Sequence, residues 1–185
     1  MKFPHSGLML AVLAALPLLA LADDSLSPEK RQVIEQVDAL EEDISRMSQA
    51  LWDYSEIALE ETQSAEFLAR FLEAEGFSVE RGVADMPTAF VGSWGSGKPV
   101  IGILAEYDAL PDIGNDPVPS RQLRSDDHPH GHGCGHNLFG AGSVAAAVAL
   151  KRTMEANGMG GTVKLFGSPA EETLVGKDYM ANAGV

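Results

Sequence analysis

Two short polar segments, far apart in the sequence, constrain the fold of this chain most strongly. Residues 132–136 read His-Gly-Cys-Gly-His, and about 35 residues later come the adjacent Glu171 and Glu172. Thiolate, imidazole and carboxylate are together the ligands that divalent transition metals bind in proteins. A fold that uses them as one metal site has to bring both segments within reach of a common ion.

The first residues are predicted to be a removable signal peptide. In residues 1–22, Lys2 supplies positive charge, residues 8–21 are apolar, and residues 20–22 (Ala-Leu-Ala) fit a cleavage site. The alternative is a membrane anchor, but a bilayer span needs roughly 20 apolar residues and this run is shorter. We therefore expect an exported protein, periplasmic or secreted, that comprises residues 23–185 and is free of the membrane once the signal is removed.

The composition argues against some partners. Lys and Arg number 13 against 27 Asp and Glu, a net charge of −14, and such a chain would repel a phosphate backbone, so no nucleic-acid partner is expected. The single cysteine rules out an internal disulfide. Cys134 is either an inert buried thiol or a functional one.

Apolar periodicity predicts four helices. A capping Ser-Pro pair opens one over 27–52, a second runs from Ser64 to Gly76, and a third, capped by Asn137, covers 138–156. That third helix is rich in small residues, which favours close packing on a sheet. A fourth helix starts at Gly176.

Four strands are predicted between these helices, over residues 77–81, 89–94, 100–104 and 162–166. Residues 95–98 are expected to form a hairpin turn. Residues 100–104 are apolar without alternation, which predicts a strand covered on both faces. The expected fold class is α/β, with helices packed on a mixed, largely parallel sheet.

Cys134 and His136 are candidate metal ligands. In an extended segment, residues two apart point to the same side, so both side chains can reach one ion. The start of the following helix also favours a thiolate. The alternative is an incidental Gly/His loop that binds metal only adventitiously.

Four carboxylates follow predicted strands. Adjacent Glu171 and Glu172 point to opposite sides of an extended backbone, so one can bind metal while the other faces the reacting water; alternatively, they are a solvated pair that opens a helix. Glu106 and Asp108 share a side and can act as ligand or as orienting group for a histidine. Alternatively, they bond to their own turn.

Three segments carry a family resemblance: 103–111 (Ile-Leu-Ala-Glu-Tyr-Asp-Ala-Leu-Pro), 132–137 (His-Gly-Cys-Gly-His-Asn) and 169–172 (Pro-Ala-Glu-Glu). They resemble the amidohydrolase branch of the zinc-dependent aminoacylase and carboxypeptidase family, and within it most closely the p-aminobenzoyl-glutamate hydrolase group. The resemblance extends from about residue 30 to the end of the chain.

The resemblance implies a site with two divalent metal ions, zinc first and manganese or cobalt as alternatives. Cys134 and His136 match two ligands, with Cys134 as the bridging one, and Glu172 matches a third. Glu171 matches the general base and Asp108 an orienting aspartate.

The resemblance also implies departures and missing parts. Glu106 stands where classical members carry a metal-binding histidine. Two further histidine ligands and a lid domain used for homodimerisation lie beyond Glu172 in such proteins. Residues 23–185 are therefore expected to be the N-terminal part of a catalytic domain.

The implied activity is metal-dependent hydrolysis of the amide bond of small N-acyl or N-aroyl amino acids, p-aminobenzoyl-glutamate-like, or of dipeptides. Two alternatives stay open at the level of the sequence. One is an exported metal-binding protein, or an incomplete fragment, without turnover. The other is a cysteine hydrolase with Cys134 as nucleophile and His136 as its base.

Overall fold

The computed structural model describes residues 26–185 of the chain. The predicted signal peptide, residues 1–22, lies outside the described residues. Among the helices of the described part, none combines the length and the apolar character that crossing a bilayer requires.

The first helical stretch is divided into α1 (Pro28–Asp38) and α2 (Glu41–Tyr54), so the prediction of one continuous helix was wrong. Ser27 caps α1 as predicted. The helix breaks at Leu40, which has φ −100° and ψ 6° and is 1% exposed. The break allows Leu40 to enter the core, and that burial outweighs the continuation of a helix on the surface.

Two other helices lie close to their predicted positions. Helix α3 covers Thr62–Ala74 and begins slightly before the predicted Ser64. Gly76 follows it with φ 87°, the left-handed conformation that was predicted to end this helix. Helix α5 covers Gly176–Asn182, as expected from the sequence.

The four predicted strands form one mixed sheet in the order β1-β2-β4-β3. Their bounds are β1 (Ser78–Arg81), β2 (Phe90–Ser96), β3 (Val100–Ala105) and β4 (Gly161–Gly167). Strand β2 is antiparallel to both β1 and β4, and β3 is parallel to β4. The mixed α/β sheet is confirmed, but two of the three pairings are antiparallel, so the expectation of a largely parallel sheet was wrong.

The predicted hairpin at residues 95–98 does not form, because β4 lies between β2 and β3. Strand β3 leads through helix α4 (His136–Ala156) into β4, a crossover that makes these two strands parallel neighbours. Every second residue of β4 is buried, as expected of a strand with one face against helix α4 and the other face less covered.

Strand β3 was predicted to be covered on both faces, and this was wrong. Within the described residues it lies at the edge of the sheet, and Val100 and Leu104 are 57% and 46% exposed. An unbroken apolar run is compatible with burial on two faces but does not require it.

Helix α4 packs on the sheet, as its small residues predicted. A Cβ atom added to Gly140 would lie 2.8 Å from the carbonyl oxygen of Glu106. The helix is capped by Gly135, with φ 94°, and not by the predicted Asn137. The close approach places the first turn of α4 beside the residues that follow β3.

Candidate metal centre

Three chain segments meet at the carboxyl edge of the sheet. Glu106 follows the end of β3, and Ser168 follows the end of the parallel strand β4. His136 is the first residue of α4. In open α/β sheets this edge is where ligands bind, and the sequence pattern alone had indicated the same place for Glu171 and Glu172.

A first group of candidate metal ligands consists of Cys134, His136 and Glu172. One donor atom from each lies within 4.8 Å of the donor atoms of the other two. The two segments that the sequence singled out therefore converge. The prediction that Cys134 and His136 lie on an extended segment was wrong. The positive φ of Gly135 turns the chain, and His136 is already the first residue of the helix.

A second group consists of Glu106, His136 and Glu171, whose donor atoms also lie within 4.8 Å of one another. The Nε2 atom of His136 is 3.2 Å from Oε2 of Glu106 and 3.6 Å from Oε2 of Glu171. The sequence did not decide whether Glu106 acts as a metal ligand or orienting group, or forms a hydrogen bond to its own turn. The structure places it against the imidazole.

Asp108 contacts both the histidine at the start of α4 and the backbone of the Glu171–Glu172 pair. Its Oδ1 lies 2.9 Å from Nδ1 of His136, and its backbone oxygen lies 3.1 Å from the same nitrogen. Because both atoms are acceptors, we assign the imidazole proton to Nδ1, which leaves the lone pair of Nε2 for a cation. The Oδ2 atom accepts the N–H of Glu172 at 2.8 Å. The hydrogen bond that His136 donates to Asp108 raises the pKa of His136, and partial burial opposes the rise.

Glu171 and Glu172 do not lie on an extended backbone, so that prediction was wrong. They begin a single 3-10 turn, Glu171–Thr173, flanked by Ala170 and Leu174 in the left-handed conformation. In the structure the two carboxylates belong to different groups of candidate ligands; that one of them binds metal while the other faces the reacting water stays a prediction.

The donor atoms of the site fit a divalent cation. The Oε1 atom of Glu172 is buried and, among the described residues, has no hydrogen-bond partner. Cys134 is exposed, yet desolvation and the nearby Glu172, Glu171 and Glu106 carboxylates raise the pKa of its thiol. Such a thiol is not activated as a nucleophile by its own surroundings, whereas a bound cation would favour its thiolate.

Lys177 is a residue of the site that the sequence reasoning missed. Its Nζ atom contacts Oε1 of Glu106 and lies 3.7 Å from Oε1 of Glu171. The helix that carries it was predicted, but its packing direction was not. The only sequence feature that could have indicated a role for Lys177 is its position shortly after the acidic pair Glu171 and Glu172.

The other histidines of the loop before α4 do not join either ligand group. The Nε2 atom of His132 lies 2.9 Å from the backbone oxygen of Leu51, and burial lowers the pKa of this histidine to about 4. The rings of His128 and His130 pack edge to face on each other. In the described structure these three histidines contribute no donor atom to the two groups of candidate ligands.

A mixed sheet with helices against it, and thiol, imidazole and carboxylate donors at its carboxyl edge, place this chain in the class of α/β domains that carry a candidate metal centre. Residues 102–185 match the model of peptidase family M20/M25/M40. The chain belongs to this family, which confirms the resemblance seen in its motifs.

Relatives agree with this assignment. The chain is 44% identical over 151 residues to one of the subunits of the p-aminobenzoyl-glutamate hydrolase of Escherichia coli (strain K12), a match that covers 80% of this chain and 31% of the relative. It is 33% identical over 167 residues to the Xaa-Arg dipeptidase of Mus musculus, covering 84% of this chain and 35% of the relative. The chain thus spans about a third of the length of these curated relatives.

A solved structure shares the fold. It is a dinuclear metal-binding peptidase of the M20 family from Bacillus subtilis, with 24% sequence identity and a TM-score of 0.65. The match covers 80% of this chain and 40% of that chain. At this identity the likeness concerns the fold alone.

Proposed function

We propose that this chain supplies metal ligands and the general base of an amidohydrolase. The proposed reaction is hydrolysis of the amide bond of small N-acyl or N-aroyl amino acids, of the p-aminobenzoyl-glutamate type, or of dipeptides. One observation carries the proposal: two groups of candidate ligands share His136 at the carboxyl edge of the sheet. The names of the two relatives, a p-aminobenzoyl-glutamate hydrolase and a dipeptidase, support the substrate classes.

Cys134, His136 and Glu172 are proposed to hold one ion. With its proton on Nδ1, His136 has a single lone pair and binds one cation, so Glu106 and Glu171 are the residues of the second group that line the position of a second ion. Thiolate with imidazole favours zinc, while the carboxylate-rich position also accepts manganese or cobalt. The dinuclear peptidase with the same fold supports a centre of two ions.

A divalent cation in this centre would supply Lewis acidity, which polarises a carbonyl oxygen and makes water a stronger acid. Glu171 takes the proton of the attacking water at a carboxylate oxygen and passes it to the leaving amine nitrogen. Asp108 keeps His136 in one tautomer and one orientation and also holds the backbone of Glu172.

Substituting the proposed base separates metal binding from turnover. In Glu171→Gln, an amide oxygen remains to contact a cation, but the side chain no longer accepts a proton. We expect the metal content, measured by mass spectrometry of the purified full-length protein, to stay the same. The kcat for p-aminobenzoyl-glutamate and for acetylated amino acids should fall by about 10²–10⁴-fold, the usual contribution of a general base.

The comparison variant is Glu172→Ala, at the neighbouring carboxylate on the same turn, which removes a proposed ligand altogether and should lose metal as well as activity. Unchanged turnover in Glu171→Gln would show that Glu171 is not the base. A wild-type protein that binds metal but hydrolyses none of these amides would support the alternative of metal binding without turnover.

We further propose that the protein is exported through the signal peptide at residues 1–22 and that its full-length form is a homodimer. Lys2 and the apolar residues 8–21 support export. The Escherichia coli relative is named as one subunit of its hydrolase, which supports an assembly of more than one chain.

A further inference from the structure

A fully buried carboxylate, Glu61, is hydrogen-bonded to the residue before Glu171 and belongs to neither group of candidate ligands. Its residue is 0% exposed. Its Oε1 accepts the N–H of Ala170 at 2.8 Å, and its Oε2 accepts the hydroxyl of Thr88 at 2.9 Å. Burying a carboxylate is costly unless its oxygens are hydrogen-bonded, so these two contacts determine where the side chain can lie.

The Ala170 contact acts on the residues that carry the site carboxylates. Ala170 directly precedes Glu171 and has φ 56°, a left-handed conformation that is rare for a residue with a Cβ atom. Such a conformation persists only where the surroundings hold it. The hydrogen bond from its N–H to Glu61 is one such restraint, and it fixes the start of the turn that directs Glu171 and Glu172.

The Thr88 contact leads to the other carboxylate segment. The hydroxyl of Tyr107 donates to the backbone oxygen of Thr88 at 2.6 Å, and Tyr107 is 0% exposed. Tyr107 lies between Glu106 and Asp108 in the sequence. Tyr107, Thr88, Glu61 and Ala170 therefore form a buried hydrogen-bonded chain that joins both carboxylate-bearing segments, and we name it the buried relay.

We propose that Glu61, through the buried relay, is a positioning residue that sets the separation of segment 106–108 from segment 171–172 and so preorganises the metal centre. The inference rests on the proposed function. Burial raises the pKa of Glu61, and its hydrogen bonds offset part of the rise. Glu61 itself touches neither of the ligand groups, so its effect passes through the backbone of Ala170 and the side chain of Thr88.

The test compares Glu61→Met, Glu61→Gln and Glu60→Met in the full-length protein. Glu60 is the exposed neighbour and serves as the matched control. We expect Glu61→Met to lower the affinity for Co²⁺ by about 10–100-fold, the usual effect of removing a group that orients ligands. Its thiolate-to-cobalt absorption band should also shift, and kcat should fall more than KM rises. Glu61→Gln retains an oxygen for the N–H of Ala170 and should stay within about threefold of wild type, as should Glu60→Met.

If Glu61→Met does not yield folded protein, Thr88→Val and Thr88→Ser replace it, since only serine retains the hydroxyl that reaches Glu61. Lower cobalt affinity in the valine variant than in the serine variant supports the proposal. Equal cobalt affinity and equal spectra in folded Glu61→Met and wild type, or in the two Thr88 variants, would overturn it. Failure of the wild type to bind cobalt would instead refute the proposed function.

Discussion

At the scale of single residues, four carboxylates surround one imidazole. Oxygen atoms of Glu106, Asp108, Glu171 and Glu172 lie 3.2, 2.9, 3.6 and 3.7 Å from nitrogen atoms of His136. The donor oxygens of Glu106 and Glu171 lie within 4.8 Å of each other, and like charges this close repel one another, so a bound cation would relieve the repulsion. Each of these side chains alone would bind a divalent cation weakly. Their proximity is what makes them a candidate metal site.

The buried carboxylate Glu61 gives a pH prediction at this scale. Because burial raises its pKa in the folded protein above the ordinary 4.5, its contribution to stability is full below pH 4.5 and is lost as the pH rises through the folded pKa. Glutamine does not titrate. The free energy of unfolding of Glu61→Gln relative to wild type should therefore increase from pH 5 to 8, as measured by urea unfolding.

Glu60→Gln is the control for this experiment, because it makes the same chemical change at the exposed neighbouring position. A difference between Glu61→Gln and wild type that stays constant from pH 5 to 8 would mean that Glu61 titrates normally in the folded protein.

At the scale of secondary-structure elements, the position of α4 is set by how closely it can approach β3 and the residues after it. Small side chains along α4 predicted that approach, and its buried face confirms it. Sequence periodicity could not identify Gly135 as the cap, because Asn137 is the better capping residue by type. The tertiary requirement to bring His136 to the sheet edge outweighed this local preference.

Two glycines of α4 provide a matched pair for testing the close approach. Alanine at Gly140 would bring its Cβ to 2.8 Å from the Glu106 carbonyl oxygen, whereas a Cβ at Gly142 would have no described atom within 4 Å apart from its chain neighbours and the backbone of its own helix. We expect Gly140→Ala to lower the free energy of unfolding by about 1–3 kcal/mol through overpacking. Gly142→Ala should raise it by up to about 1 kcal/mol through helix propensity.

Chemical denaturation of both variants measures these changes. Equal stabilisation by the two substitutions would show that α4 does not pack against the Glu106 backbone as described. A lower metal affinity in Gly140→Ala alone would link the helix position to the site.

At the scale of the whole molecule, a bound ion would add a direct link between segments that are distant in the sequence. Cys134 lies before α4, and Glu172 lies beyond β4. A ligand that binds the folded state alone stabilises it by about 2.7 kcal/mol at 100 times its dissociation constant. Metal should therefore act on stability as well as on catalysis.

Metal removal tests this coupling in the full-length protein. We expect EDTA to lower the melting temperature and to abolish amide hydrolysis, and added Zn²⁺ to restore both. Calorimetry and a hydrolysis assay provide the measurements. Activity that survives complete metal removal would favour the cysteine hydrolase with Cys134 as nucleophile.

The sequence by itself determined the chemical identity of Cys134, His136, Glu171 and Glu172, the α/β class, and most helix and strand positions, because residue type and local periodicity encode these directly. Only the tertiary structure decided the strand order, the exposure of β3 and the 3-10 turn at Glu171. It also decided the contacts that Lys177 and Glu61 make. These depend on contacts between residues distant in sequence: β4 enters between β2 and β3, and a buried carboxylate bonds across 109 positions to Ala170. Local patterns carry no record of such pairings.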